Sequence, residues 1–426
     1  MFKLDKLKQI FQSLDLTRPI AIGYSGGVDS HVLLHALKAL MLEGLPLTLQ
    51  AIHVNHHLNL AADWWVAHCQ TVCDALDITL TVLDIHLKDT QGESLEALAR
   101  TARYEVIAAA LPEHSYFLTA HHQDDQAETV LLQLLRGAGP KGLSAMPFEK
   151  TFKHIRIIRP LLGFTREMIV DYAHQHHLTW IEDSSNVNTN FQRNYLRQEI
   201  MPLLKKTWPS CTQTLARSAE HCAEIEWLGE VLAEQDYKGC VVDYNGLAIS
   251  LLQSLSVPRL KRVIRYWLVQ QGLSVPPTIK LRHIITDMLP AKVDAQPLVT
   301  WSGVEVRRYR DVLYAMKPLS VIDVRQRLRW DLSQELILPG DLGVLTVQQL
   351  IDQGVDVDNI RGAVEVRFRQ GGETCCLANR IGTHTLKNLF QEWAVPTWRR
   401  DRVPLIYYQN QLVCVVGFCV CILLPL

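Results

Sequence analysis

A chain of 426 residues is longer than one hydrophobic core usually serves, and a hydrophobic content of 48% lets each of two or three domains bury a core. The formal net charge of −1 excludes a globally basic coat for nucleic acid, so any RNA contact must come from local patches. The ten cysteines are scattered without a CxxC pair, the nearest being Cys69/Cys73, Cys375/Cys376 and Cys419/Cys421. Neither a structural zinc site nor a thioredoxin-like motif is indicated, and buried thiols of a reducing cytoplasm are expected.

Residues 1–14 form an amphipathic helical pattern rather than a signal peptide. Residues 20–24 are apolar and β-prone, Ser25-Gly26-Gly27 makes a tight turn, and 28–34 open an amphipathic helix that reaches about 43. A strand, a glycine turn and a helix N-terminus gather backbone N–H groups around one concave spot suited to a phosphate. Gly26 and Gly27 let the backbone approach the anion, Val28 adds an amide, and Ser25 and Ser30 add hydroxyls. No lysine follows, so this is neither a Walker A loop nor GxGxxG. Asp29 would repel a bare phosphate, and makes sense if Mg²⁺ lies between them.

Strands are expected at 47–54, 79–85 and 116–120, alternating with helices at 61–76, 93–111 and 124–136. That alternation predicts an α/β, doubly wound parallel sheet with ligands at the carboxyl ends of its strands. The polar clusters fall there: Ser25 to Ser30, then His53-Val54-Asn55-His56-His57, then His121-His122-Gln123-Asp124-Asp125. Adjacent carboxylates at a helix start also serve as caps, so one of Asp124 and Asp125 caps while the other joins Asp29 on Mg²⁺. The HHxDD run lacks the i, i+4 histidine spacing of zinc helices. Arg100 and Arg103 are three apart on one helix; a solvated face is the bland reading and a phosphate clamp the functional one.

Beyond a glycine-rich basic lip at 136–142 come a strand at 156–162, a helix from Thr165 to 176, a polar loop at 180–186, and a helix opening with Arg193-Asn194-Tyr195-Leu196-Arg197. Arg193 and Arg197, four apart, share a face. Pro202 and Pro209 mark a domain end. Residues 211–319 read as mostly helical, with long helices at 214–235 and 256–271 and a hairpin strand at 301–314. Strands dominate afterwards, with turns at Pro339-Gly340 and Gly371-Gly372. Between 361 and 402, Arg361, Arg367, Arg369, Arg380, Lys387, Arg399, Arg400 and Arg402 outnumber Glu365, Glu373, Glu392 and Asp401. Phe390, Trp393 and Trp398 lie among them, a composition suited to backbone contact and base stacking on RNA. The apolar run 412–426 is shorter than the roughly 20 residues of a membrane-spanning helix and reads as core strand.

SGGVDS (25–30) matches the pyrophosphate loop of the N-type ATP pyrophosphatases, the PP-loop superfamily. With HVNHHL (53–58), EALARTARY (96–104), TAHHQDDQAET (119–129), LLRGAGPKGL (134–143), RPLL (159–162), IEDSSN (181–186), RNYLR (193–197) and the stretch 384–407, the whole chain resembles the bacterial tRNA(Ile)-lysidine synthases. SGGxDS alone specifies the superfamily; the HHxDDQAET and EDSSN…RNxLR combination is much narrower. Asn59 stands where that family usually has Arg, and Ser184 where it often has Pro.

The resemblance implies ATP-dependent adenylation of the wobble cytidine of a CAU-anticodon tRNA(Ile), followed by attack of free L-lysine and loss of AMP. It implies ATP and Mg²⁺, tRNA(Ile) and lysine as partners, no membrane, and a cytoplasmic location; a homodimer is among the assemblies it allows. Ser25, Gly26, Gly27, Val28, Asp29, Ser30, His53, Asn55 and His122 would bind the nucleotide. Asp29 and Asp125 would hold Mg²⁺, Arg103 and Arg197 would neutralise charge, and Asp125 is the candidate base for the amine. Asp124, Arg193, Asn194, Lys387, Arg399 and Arg400 would meet substrate. The implied division is a PP-loop ATP pyrophosphatase domain (1–210), a helical tRNA-binding domain (211–318) and a strand-rich α+β C-terminal domain (319–426). A PP-loop tRNA thiolase is the enzymatic alternative, for which the CxxC is missing; a non-catalytic tRNA-binding protein is the other, against which the intact loop and Asp124-Asp125 weigh.

Overall fold

The computed structural model describes residues 2–55, 62–85, 95–182, 188–292, 295–377, 380 and 382–421. Asn59 and Ser184 lie outside the described residues, as do His56, His57 and most of the polar loop after Glu182. The chain divides into two compact units, Met1–Leu228 and Gly229–Leu426.

The first unit runs α1 (Leu4–Gln12), β1 (Ile20–Gly23), α2 (Val28–Leu42), β2 (Leu49–Asn55), α3 (Ala62–Ala75), β3 (Thr79–Asp84), α4 (Leu95–Ala110), β4 (Tyr116–Leu118), α5 (Gln123–Leu135), α6 (Pro140–Leu143), β5 (Glu149–Phe152), β6 (Ile155–Ile158), α7 (Arg166–Gln175), α8 (Gln192–Tyr195) and α9 (Met201–Thr207). Its sheet has the order β3-β2-β1-β4-β6-β5, parallel throughout except for β5 at one edge. The chain steps from β1 outward to β3, then returns to place β4 on the other side of β1. Strand order therefore reverses between β1 and β4, where a doubly wound sheet opens its ligand crevice.

β1 is apolar on both faces because both are covered. Ile20 and Ile22 enter the core containing Leu33, Leu34 and Leu37 of α2, while Ala21 meets Ile52, Ile107, Phe117 and Ile157 on the opposite side. α2 is more deeply set than an amphipathic helix: Ser30, His31, Val32, Leu33, Leu34, Ala36, Leu37 and Leu40 are all buried. The hairpin strand β5 is absent from the sequence expectation, its residues 149–152 being mostly exposed on the edge. Pro202 does not end the helical stretch, since it occupies the first turn of α9. Proline supplies no N–H, and the turn before it, Leu196–Ile200, widens to π-helical bonding.

The helix α10 (Cys211–Cys240) carries the chain across the boundary between the units. The second unit continues with β7 (Val241–Val242), β8 (Gly246–Ala248), α11 (Ile249–Gln253), α12 (Val257–Gln270), α13 (Thr278–His283), β9 (Leu298–Trp301), β10 (Val304–Tyr309) and β11 (Val312–Met316). The expected single hairpin strand is a three-stranded meander, extended by β8 and β7 to five antiparallel strands. Two- to four-residue strands such as β7, β8 and β9 are too short to leave an alternating signal.

A second antiparallel sheet follows, in the order β12 (Leu328–Trp330), β15 (Val364–Arg367), β18 (Leu405–Tyr408), β19 (Gln411–Val415), β20 (Cys419–Val420). Between these lie the hairpins β13 (Leu336–Ile337)/β14 (Val344–Leu345) and β16 (Thr374–Cys376)/β17 (Thr383–Thr385), with α14 (Val347–Asp352), α15 (Leu386–Glu392) and α16 (Thr397–Arg400). The expected turns at Pro339-Gly340 and Gly371-Gly372 fall between strands β13 and β14 and before β16. One pair departs from the reading of the cysteines as thiols: Cys375 and Cys421 are joined as a disulfide, with Cα atoms 5.5 Å apart. Among the described residues no helix is long and apolar enough to cross a membrane.

His31 gives the first unit a pH dependence. It is 5% exposed, its Nδ1 has no hydrogen-bond partner, and burial pushes its pKa down to about 4. The unfolded chain binds a proton near pH 6.5 that the folded chain refuses until about pH 4, so stability falls as pH drops through that window. The urea midpoint of the first unit should decline between pH 7 and pH 5, and less steeply in His31→Gln. An identical slope in the variant would remove His31 as a source of the effect.

Candidate active site

The loop after β1 is closed on itself before any ligand arrives. The Ser25 backbone N–H donates to Ser30 Oγ (3.3 Å), the two hydroxyls lie 3.2 Å apart, and Ser30 Oγ donates to the Gly27 carbonyl (3.0 Å). Gly26 has φ +82°, and a Cβ there would sit 2.6 Å from Ile181 Cδ1. The left-handed φ favours glycine at 26, and a side chain there would also have to displace the end of Ile181. Gly27 differs, because a Cβ there would meet only Ser25 Oγ at 3.5 Å, so the space beside it is open. Val28 then begins α2, so the amides at its N-terminus face that space unpaired within the helix.

Asp29, one residue into α2, faces the start of α5. Its Oδ1 lies 3.7 Å from His122 Nε2 and its Oδ2 3.7 Å from Arg166. Burial pushes its carboxyl above the ordinary range, against the opposing charges of His122 and Arg166. Asp29 Oδ1 is buried without a hydrogen-bond partner. Asp125 Oδ2 approaches the same His122 Nε2 at 3.5 Å, so the two carboxylates stand on either side of one imidazole nitrogen. An orphaned, desolvated carboxylate oxygen facing a second carboxylate suits a hard divalent cation, which takes oxygen ligands.

Asp125 is held differently. Its Oδ2 accepts the His122 backbone N–H (2.9 Å), and its Oδ1 accepts from Arg193 (2.9 Å) and Arg197 (3.0 Å). Burial would raise its pKa, but His122 and Arg193 outweigh it and hold it below the usual carboxylate range. A carboxylate so stabilised is a weaker base than a free one. Asp124 accepts the Arg166 backbone N–H (2.8 Å) and Lys205 Nζ (2.9 Å); these outweigh burial and keep it low as well. Its two oxygens thereby join the start of α7 and helix α9 to the start of α5.

Glu128 is the residue that sequence reasoning missed. It is 2% exposed, and its Oε1 accepts Arg197 Nε (2.7 Å) while its Oε2 accepts Arg193 Nε (2.8 Å) and Arg197 Nη2 (3.0 Å). It lies three residues after Asp125, on the same helix face, and that spacing was the available signal. Asp125 and Glu128 from one helix and Arg193 and Arg197 from another thus form a closed charge quartet.

The other expected residues are distributed as follows. His53 is buried, its Nδ1 3.0 Å from the Tyr24 carbonyl and 3.5 Å from Cys69 Sγ, so it props the strand beneath the loop; burial lowers its pKa. Asn55 is buried at the end of β2, where its carbonyl accepts the Ile85 N–H. Asn194 Nδ2 donates to the Asn188 carbonyl (3.0 Å). Arg103 is exposed on α4, whereas Arg100, one turn earlier, acts electrostatically on His121 and Arg159. His121 bonds Thr119 Oγ1 (2.8 Å), and burial pushes its pKa down to about 3, so it is neutral near pH 7. Cys69 and Cys73 are buried thiols pushed up to about 12, the opposite of an activated nucleophile.

In the second unit Lys387 and Arg399 are exposed, but Arg400 is not. Arg400 is 9% exposed, with Nε donating to the Val395 carbonyl (2.9 Å) and Nη2 to Tyr309 Oη (3.0 Å), so its guanidinium is engaged within the protein. Phe390 is fully buried with Leu386 and Leu389 on the inner face of α15, which removes it from any stacking surface. Trp393 stacks on Phe418 at 5.3 Å beside a hollow of about 370 Å³ that Arg399, Tyr314 and Pro396 also line. Lys261, Arg265 and Arg282 line a second hollow of about 300 Å³. Arg259, on α12 with Lys261 and Arg265, is paired with the buried Asp236.

Replacing Glu128 by Gln removes the charge that two guanidiniums share, and breaking a buried pair this way should cost about 3 kcal/mol or more. The urea midpoint of the first unit should fall accordingly. An unchanged midpoint would show that Asp125 alone suffices to hold both arginines.

Comparison with known proteins bears on the same residues. Residues 3–204 match a family model described as a PP-loop domain, 247–314 one described as a TilS substrate binding domain, and 364–424 one described as a TilS substrate C-terminal domain. A protein of Coxiella burnetii named tRNA(Ile)-lysidine synthase is 43% identical, over 99% of this chain and 93% of its own. Proteins of the same name from Yersinia pseudotuberculosis (37%; 96% and 94%) and Alkalilimnicola ehrlichii (39%; 93% and 88%) are similar over comparable lengths.

Proposed function

Because the chain belongs to the tRNA(Ile)-lysidine synthase family, whose named relatives it matches over nearly its whole length, we propose that it uses ATP and free L-lysine to convert the wobble cytidine of a CAU-anticodon tRNA(Ile) to lysidine. The observation that carries this reading is the Gly26 turn followed by the orphaned Asp29 carboxylate, with Asp125 on the other side of His122, within a chain of that family. The carbonyl at carbon 2 of cytosine is conjugated with ring nitrogens and is a poor electrophile. Transfer of AMP from ATP to its oxygen expels pyrophosphate and creates a leaving group. The ε-amine of lysine then attacks carbon 2, and AMP departs with the oxygen.

In this reading the amides at Gly26, Gly27 and Val28 and the hydroxyls of Ser25 and Ser30 receive the pyrophosphate. Arg193 and Arg197, fixed on one edge by Asp125 and Glu128, present their remaining edges to phosphoryl oxygens, where fixed cations stabilise developing charge without reorganising. Arg103, with Arg100 nearby, would supply further positive charge from α4. Asp29 and Asp125 would hold Mg²⁺, which when bound neutralises phosphate charge. His122, between them, orients both carboxylates, and His53 and Asn55 support the nucleotide side of the loop from β2. Asp124 and Asn194 act by positioning the helix starts around the substrate. Lysine's amine has a solution pKa of about 10.4 and reacts only after losing a proton.

The tRNA side belongs to the remaining chain, with 1–210 as the catalytic domain, 211–318 as an RNA-binding domain of helices and the β7–β11 sheet, and 319–426 as a recognition domain. Lys387 and Arg399 are its proposed phosphate contacts there, with Arg400 supporting Tyr309 beneath them. A cytoplasmic location and a homodimer complete the proposal, the latter to be read by sedimentation.

Incubation with ATP, labelled lysine and both CAU-anticodon tRNAs should label only the isoleucine species, and label in neither or in both would overturn the reading. In the same assay Asp29→Ala should lose pyrophosphate release while retaining tRNA binding. Charge reversal of Lys387 and Arg399 together should weaken tRNA binding and lower the slope of log affinity against log salt by about one to two units. An unchanged slope would place the phosphate contacts elsewhere.

A further inference from the structure

Five of the ten cysteines, at 375, 376, 414, 419 and 421, belong to the final strand-rich region, and strand alternation sorts them. Cys414 is buried among Val364, Val366 and Ile406 on one side of the sheet. Cys376 turns to Thr383, with sulfur and hydroxyl 3.3 Å apart. Cys375, Cys419 and Cys421 instead enter one cluster with Leu386, Leu389 and Phe390, and their sulfur atoms all lie within 4.8 Å of one another. Cys419 and Cys421 are two apart, so they share a face, and Cys421 bridges Leu377, two residues beyond Cys375.

The spacing and surroundings fit a metal. With Zn–S bonds of about 2.3 Å, sulfurs at two corners of a tetrahedron stand about 3.8 Å apart. Cys375 and Cys419 are 3.9 Å apart. His384 is the residue directly opposite Cys375 in the β16–β17 ladder, so its side chain projects from the same face. Its Nε2 is buried and has no hydrogen-bond partner; the ring lies outside the 4.8 Å cluster of the three sulfurs, and a turn of the side chain would bring it to the ion. Cys375 and Cys421 are 2% and 4% exposed, and Cys419 is half-buried, giving an enclosed set with one accessible member.

We propose that Cys375, Cys419, Cys421 and His384 form a closed structural site for a soft d¹⁰ divalent cation of the zinc type. The site is independent of the tRNA reaction. Binding displaces three thiol protons, leaves three thiolates and a neutral imidazole on the ion, and gives the centre one net negative charge. The Cys375–Cys421 disulfide is the oxidised alternative of the same sulfurs. Its reduction takes up two electrons and two protons and restores the two missing ligands, so disulfide and metal exclude one another. The ion would fasten the last strand to the β16–β17 hairpin, whose ladder has only three residue pairs.

The full chain is reduced with excess dithiothreitol, which supplies both electrons and both protons as it cyclises to its own disulfide, and is desalted under nitrogen. It is then titrated with Co²⁺ as an optical probe, followed by Zn²⁺. One equivalent of Co²⁺ should produce a thiolate charge-transfer band with visible tetrahedral bands, both removed by Zn²⁺; the oxidised chain should show neither. Cys419→Ser or Cys421→Ser should weaken binding by more than the roughly 10- to 100-fold that follows loss of a residue supporting a metal ligand. Cys376→Ser should not change it. Zn²⁺ should also protect Cys375, Cys419 and Cys421 of the unmutated chain from alkylation while leaving Cys376 reactive, a readout that needs no variant. Absence of the charge-transfer band from the reduced chain, or failure of Zn²⁺ to protect those three thiols, would overturn the site. Unaltered affinity and spectrum in His384→Ala would overturn the assignment of the fourth ligand.

Discussion

A carboxylate as buried as Glu128 persists only when its charge is answered, and two arginines answer it. That constraint organises the whole end of the first unit. Asp125 and Glu128 are three residues apart on α5, and Arg193 and Arg197 are four apart across α8 and the π-helical turn, so two faces of matching period meet. The guanidinium fork allows each arginine to reach both acids at once. Behind the quartet Ala127, Met201 and Cys211 pack as an apolar backing. The polar site is thereby built into the packing of the helices rather than laid on their surface.

Placing two carboxylates near one histidine nitrogen does not make them equivalent. Asp125, inside the quartet, is driven toward permanent ionisation, whereas Asp29, desolvated and lacking a donor for one oxygen, is driven the other way. Divergent environments of this kind give similar groups different chemical roles. One carboxylate belongs to the scaffold as well as the site; the other is left in need of a partner.

The parallel core was legible because β1 and β4 are short apolar runs and the helices between the strands are long, so the alternation survives in the sequence. The loop at 25–30, the acid pair and the spacing of Arg193 and Arg197 were legible for the same local reason. Glu128 escaped because its arginine partners lie 65 and 69 positions away, so its spacing from Asp125 could mark a shared helix face but not the ion pairs. Arg399 and Arg400 look alike in sequence, yet a short helix turns one outward and packs the other against Tyr309. Phe390 reads as a stacking aromatic until α15 is seen to bury it. The Cys375–Cys421 pair escaped because sheet register, not a CxxC, brings Cys375 to Cys419 and Cys421.

Gly26 has one more implication. The methyl end of Ile181 occupies the place its side chain would take, and the Ile181 N–H donates to the Gly26 carbonyl at 2.9 Å. The phosphate-facing turn is therefore moulded from behind by a residue far along the chain. Positions 26 and 181 form one steric unit, so drift at either is constrained by the other. Ile181 thus takes its place from the turn itself, through one hydrogen bond and one steric contact.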